Sequence, residues 1–206
     1  MEWRGSFIIC LLFQFVFCIY NMSSEEKTAH YTVYATEILN TFIDEMESKF
    51  DFSCMGSGGG MPYNVRSLTV MFSSNKRVTN QEARYLGITS VQRLLELVNK
   101  HELIRPHLDK YPFTANNINI SISFYDNFGK RRIETSSTAA IRMLSGKVIY
   151  EIAKMTTIES QGIICGKTGK YLIPPKQKKR IELTEVLRET YEEAEAIVER
   201  EKQANL

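Results

Sequence analysis

Apolar and polar positions alternate along this chain with two clear periods, and each period predicts its own kind of element. Tyr34, Ile38, Phe42 and Met46 recur every four residues, with Leu39 and Phe50 widening the stripe. Glu37, Asn40, Asp44, Glu47 and Lys49 take the opposite side. This is an amphipathic helix from about Thr28 to Phe50. A second helix follows Thr79-Asn-Gln-Glu82, whose spacing is that of a capping box. It carries Ala83, Leu86, Val91, Leu94, Leu95 and Val98 inward and ends before Pro106, because a proline pushes the residue ahead of it out of the helical region. Gly87 within it marks a bend or a tight packing contact. A third helix runs from Thr190 to Lys202, opened by the capping box Thr190-Tyr-Glu-Glu193 and buried along Tyr191, Ala194, Ile197 and Val198.

The period-two stretches predict strands. Asn117–Phe124 is the clearest, with Ile118, Ile120, Ile122 and Phe124 on one side and Asn119, Ser121 and Ser123 on the other. Val65–Phe72 alternates through Leu68, Val70 and Phe72. Asp126–Lys130 reads as a turn, and Ser145-Gly146 as a hairpin turn between Thr138–Leu144 and Lys147–Ile152. Short strands are expected at Gln161–Cys165 and Tyr171–Ile173. The glycine tract within Cys54–Pro62, with four glycines in five positions, reads as a loop leading into a strand. The expected fold class is α+β: a mainly antiparallel sheet of about five strands with helices packed on one face, plus an N-terminal apolar helix.

That last element changes the picture most. In the 14 residues from Phe7 to Tyr20 only Gln14 is strongly polar, Arg4 precedes the run, and Asn21, Ser23, Ser24, Glu25, Glu26 and Lys27 follow it. A positive end, an apolar middle and a polar continuation form the layout of an export signal. The run is short for a membrane span, which takes about 20 residues. The expectation is therefore residues 1–22 as a signal peptide or membrane anchor and residues 23–206 as one α+β domain. The chain is placed as membrane-anchored, or as secreted or held in the cell envelope.

Composition adds less. Of 206 residues, 43% are hydrophobic and 24% charged, with a net charge of +2. These are ordinary values for a globular chain and give no indication of a nucleic-acid partner. Of the four cysteines, Cys10 and Cys18 lie in the apolar leader. Cys54 and Cys165 are a candidate disulfide in an oxidising compartment and buried thiols otherwise.

Candidate chemistry is sparse. Backbone amides of Gly58, Gly59 and Gly60 are a candidate anion or ligand cradle. The tract is followed by Met61-Pro62 and a strand, so it lacks the lysine and the helix of a P-loop. His101-Glu102 resembles the start of a zinc-protease motif, but Arg105 stands where the second histidine belongs, so no metal site is assigned. No Ser–His or Cys–His pairing is visible, no catalytic residue is assigned and no cofactor is expected; an enzyme is the less favoured reading. Lys167, Lys170, Lys176, Lys178, Lys179 and Arg180 lie together without an acid among them, whereas Glu182–Glu201 holds eight glutamates against two arginines. Lys178, Lys179 and Arg180 are thus either a solvated loop or a basic patch for anionic lipid or another polyanion.

Four segments together, Cys54–Pro62, His101-Glu-Leu-Ile-Arg-Pro106, Tyr111-Pro-Phe113 and Glu189-Thr-Tyr-Glu-Glu-Ala194, resemble an uncharacterised family of small bacterial proteins with an N-terminal apolar leader. The likeness spans roughly Ala35 to Val198, and the basic stretch Lys176–Arg180 departs from it. It implies no activity and transfers no catalytic residue. The expected function is an exported or membrane-anchored small binding module with a protein or anionic-lipid partner. The alternatives are a cell-envelope hydrolase using the glycine tract and His101, or a purely structural envelope protein.

Overall fold

The computed structural model describes residues 30–131, 133–134, 136–159, 163–164, 171–173 and 176–204. The apolar leader, Cys165, Lys167 and Lys170 lie outside the described residues. Helix α1 covers 30–50, followed by strands β1 (Ser53–Gly60) and β2 (Ser67–Ser74) and helix α2 (Asn80–Lys100). Strands β3 (Ile118–Phe124), β4 (Ala140–Leu144) and β5 (Lys147–Glu159) come next, then the short strands β6 (Ile163–Ile164) and β7 (Tyr171–Ile173). Strand β8 (Gln177–Thr190) and helix α3 (Tyr191–Ala204) complete the order.

The fold is α+β, with a six-stranded sheet in the order β1-β2-β3-β4-β5-β8. The sheet is mixed rather than mainly antiparallel, because β2 and β3 run parallel. The reason is the element between them: α2 carries the chain back across the sheet, and a strand–helix–strand crossover returns parallel. The expectation of about five strands also changes: eight are present among the described residues, six of them in the main sheet. The glycine tract is not a loop but β1, antiparallel to β2 with a bulge between Cys54 and Gly56. The basic stretch 177–180 is likewise not a loop but the first part of β8, antiparallel to β5.

One side of the sheet carries the core. Leu68, Val70, Phe72, Ile118, Ile120, Ile122, Phe124, Ile141, Met143, Val148 and Tyr150 are buried against the apolar stripes of α1, α2 and α3. Phe72 packs edge-on against Phe42 of α1 at 5.9 Å between ring centroids and against Phe52 at 5.3 Å. Gly87 marks a tight contact rather than a bend: a Cβ there would lie 2.7 Å from Met143 Sδ, so its absence lets α2 settle onto β4. Both capping boxes form. Glu82 N–H donates to Thr79 Oγ1, and Thr79 N–H donates to Glu82 Oε2 at 2.7 Å. Thr190 and Glu193 exchange the same pair of bonds at the start of α3. Ser145 and Gly146 both have positive φ, the geometry of the tight hairpin turn between β4 and β5.

The opposite side of the sheet bears no described helix. Alternation places Thr69, Met71, Asn119, Ser121, Ser123, Arg142 and Ile149 there. Toward their far ends β5 and β8 continue as a pair, Lys154–Glu159 against Gln177–Glu182, where nearly every residue is exposed.

Candidate functional site

The residues singled out from the sequence fall into separate places. Gly58, Gly59 and Gly60 lie in β1 at one edge of the sheet, and Lys178, Lys179 and Arg180 lie in β8 at the other. Five strand spacings of about 4.8 Å separate the edges, roughly 24 Å. One ligand cradle built from both groups is therefore excluded by the topology. An extended strand also turns successive amides to opposite sides, so Gly58–Gly60 do not form the concave amide nest that an anion needs. What the small residues do instead is admit close neighbours: a Cβ at Gly59 would lie 2.4 Å from Ser67 O. Cys54, at the start of β1, is half-buried and bonded to no other cysteine among the described residues, and its amide donates to Glu47 Oε1 of α1 at 2.8 Å. Its candidate partner Cys165 lies outside the described residues.

The basic group is divided by the strand that carries it. Successive residues of β8 face opposite sides. Lys178 and Arg180 pair with Ile158 and Thr156 on one side, and Lys179 with Thr157 on the other.

His101 and His107 take part in an aromatic cluster. His101 closes α2, with its backbone N–H donating to Leu97 and Val98 carbonyls, and its Nδ1 accepts from Ile104 N–H at 3.2 Å. Its ring lies 5.6 Å from Tyr34, and His107 lies 5.8 Å from Tyr31. Tyr31 in turn donates its hydroxyl to Met61 O at 3.1 Å. These contacts join the start of α1, the end of α2 and the end of the glycine strand. No group of three metal-ligating side chains occurs among the described residues.

A buried charge network was not visible in the sequence. Arg84 of α2 donates from Nε to Glu189 Oε1 at 2.7 Å, and Tyr150 donates its hydroxyl to the same oxygen. Both charged side chains are close to nine-tenths buried. Burial, then the Glu189 carboxylate, pushes the Tyr150 phenol well above its ordinary range, so it stays protonated. Arg84 also lies over the Tyr150 ring, 5.5 Å from its centroid. The network ties the end of β8 to the helices and faces the core. Its partners are 105 residues apart, and no local spacing announces it.

On the helix-free side a second charged pair stands near the middle of the sheet. Arg142 of β4 donates from Nη2 to Glu151 Oε1 of β5. Glu151 is buried, while Arg142 is partly exposed. Glu151 Oε2 and Arg142 Nε are buried without a hydrogen-bond partner among the described residues. Around them lie small polar side chains: Asn119 Nδ2 donates to Thr69 Oγ1 at 3.4 Å, and Asn119 Oδ1 accepts from Ser145 N–H at 3.3 Å. Met71, 48% exposed, stands beside them on β2. The surface is broad, mildly polar and dotted with apolar side chains. Grooves are found on the other side of the molecule, between helices. One of them, about 620 Å³, runs between the start of α2 and the end of α3 over Val78, Leu86 and Val198. Among the described residues no helix is long and apolar enough to cross a membrane.

Comparison of the chain with protein-family models, with curated proteins and with solved structures finds no match in any of the three. The resemblance given above therefore rests on its quoted residues alone.

Proposed function

We propose that this chain is an exported or membrane-held binding module whose partner is another protein, met on the helix-free side of the sheet. The observation that carries the reading is the asymmetry of the sheet. All three helices bury one side, while Thr69, Met71, Ser121, Arg142 and Ile149 leave the other uncovered by any described helix. An antiparallel sheet with one wet face is ordinary. The exposed methionine and the incompletely bonded Arg142–Glu151 pair give this face features that a purely solvated one does not need. The placement outside the cytosol rests on the apolar run Phe7–Tyr20.

The hydrolase reading requires the glycine tract and His101 to share a cleft, and it is weakened because His101 serves as a helix cap within an aromatic cluster. Anionic lipid is the lesser partner, because β8 turns Lys179 away from Lys178 and Arg180. Two measurements test the proposal. Fractionation of expressing cells, with the N-terminus of the recovered chain determined by mass spectrometry, is expected to place it in the membrane or envelope fraction or outside the cell. A full-length chain freely soluble in the cytosol contradicts that. Met71→Glu is expected to abolish retention of the partner, whereas Val33→Glu on the exposed side of α1 leaves it intact.

A further inference from the structure

We infer that β8 is a self-recognition edge, at which a second copy of this chain pairs antiparallel about a two-fold axis through Ile181. This goes beyond the helix-free face and does not depend on it.

β8 is the last strand of the sheet, so one row of its backbone amides and carbonyls has no strand beside it among the described residues. Such a row is a template for another strand. Lysines on an edge usually discourage that pairing, but here the strand carries both signs in separate halves. Lys178, Lys179 and Arg180 occupy one half, and Glu182 and Glu185 the other. Among the described residues Lys178, Lys179, Arg180 and Glu182 enter no ion pair.

The bulge fixes the usable length. Register shifts at Tyr150/Glu151, where Leu187 and Glu185 are the partners and Val186 is the extra residue. A bulge bends the strand and interrupts straight pairing. The regular run is therefore Gln177–Glu185, and its midpoint is Ile181, an exposed apolar residue.

With Ile181 on the axis, Arg180 of each copy stands directly opposite Glu182 of the other, on the same side of the joined sheet. Lys178 lies diagonal to Glu182, and Lys179 diagonal to Glu185, whose carboxylate also accepts from Arg188 at 2.6 Å within its own strand. Every cation of the basic half meets a carboxylate within reach of a cross-strand pair. Parallel in-register pairing would set lysine against lysine, so the charge pattern admits one orientation and rejects the other. This accounts for a basic cluster that β8 splits between two sides and that no single flat surface collects.

The test uses full-length chains carrying two different tags, co-expressed and recovered in mild detergent, with pairing scored by capture of one tag and detection of the other. Wild type is expected to pair. Arg180→Glu and Glu182→Arg are each expected to pair with themselves about tenfold less, because each change turns two attractive cross-strand pairs repulsive. The decisive arm mixes them: Arg180→Glu with Glu182→Arg restores both pairs, one in its native sense and one reversed, and is expected to recover wild-type capture. Arg180 is exposed and Glu182 half-buried, and neither enters an ion pair among the described residues, so melting curves are expected to stay close to wild type. As an independent readout, Ile181→Cys is expected to cross-link between copies with a short bis-maleimide well above the wild-type background. Ile158→Cys, on the inner strand of the pair, is not. Undiminished self-pairing of either single variant overturns the inference and points to association elsewhere on the chain. So does loss in Arg180→Glu alone without recovery on mixing, which indicates a polyanion at the basic half.

Discussion

Two kinds of strand make this sheet, and they are held in place by different forces. In β3 every second side chain is buried, with Ile118, Ile120 and Ile122 fully excluded from water. In β8 most residues are exposed and only the Glu189 side chain comes close to full burial, although the backbone pairs with β5 from one end to the other. The centre is fixed by side chains packed against helices. The edge is fixed by backbone pairing and, toward its end, by Leu187 against the core and the charge anchor Glu189. Hydrophobic alternation reports burial, not extension, so a strand can be fully formed and leave no trace of that kind in its sequence.

The contrast predicts a graded series of effects. The largest belongs to the centre. Phe72→Ala removes a ring that touches both Phe42 and Phe52 and is expected to destabilise the domain by about 3–5 kcal/mol in urea unfolding. A cost no greater than that of an edge substitution would break the distinction. Next comes the anchor. Glu189→Ala leaves Arg84 and Tyr150 without their shared acceptor and is expected to cost about 1.5–3 kcal/mol. If β8 were held by packing along its length, this single change would matter far less.

A pH series sharpens the same point. Burial raises the phenol pKa of both Tyr150 and Tyr191 in the folded state. A raised folded value means that stability is fully present below the unfolded tyrosine pKa of about 10 and declines as pH rises past it, because only the unfolded chain then releases its protons. Tyr150→Phe is expected to flatten part of that alkaline decline, measured by melting temperature between pH 8 and about 11. The smallest effect belongs to the free edge. Lys179→Ala is expected to change stability by less than about 0.5 kcal/mol, since its side chain is exposed on the strand.

The same division governs what the amino-acid pattern revealed. Helix α1, the capping boxes at Thr79 and Thr190, strand β3 and the Ser145–Gly146 turn were legible because each is announced by local spacing. The two edge strands were not. β1 has glycine at Gly56, Gly58, Gly59 and Gly60, so it shows neither alternation nor β-branched side chains. β8 begins with Lys178, Lys179 and Arg180 and looked like a solvated loop. The parallel pairing of β2 with β3 had a signal in the single helix between two strands, and the many later strands outweighed it. The site was less legible than the fold. Arg84 with Glu189 is a meeting of distant segments, and Arg142 with Glu151 comes together only through the β4–β5 register. Conversely, the glycines and basic residues looked like partners in the sequence and stand at opposite edges of the sheet.

The central functional claim is that the side of the sheet without helices among the described residues receives the partner. The most direct test is site-specific photo-cross-linking in cells expressing the full-length chain, with the probe placed singly at Met71 or Ser121 on that side and at Val33 or Tyr85 on the helical side. Protein adducts are predicted from Met71 and Ser121 and not from Val33 or Tyr85. Adducts formed only from the helical positions would contradict the account.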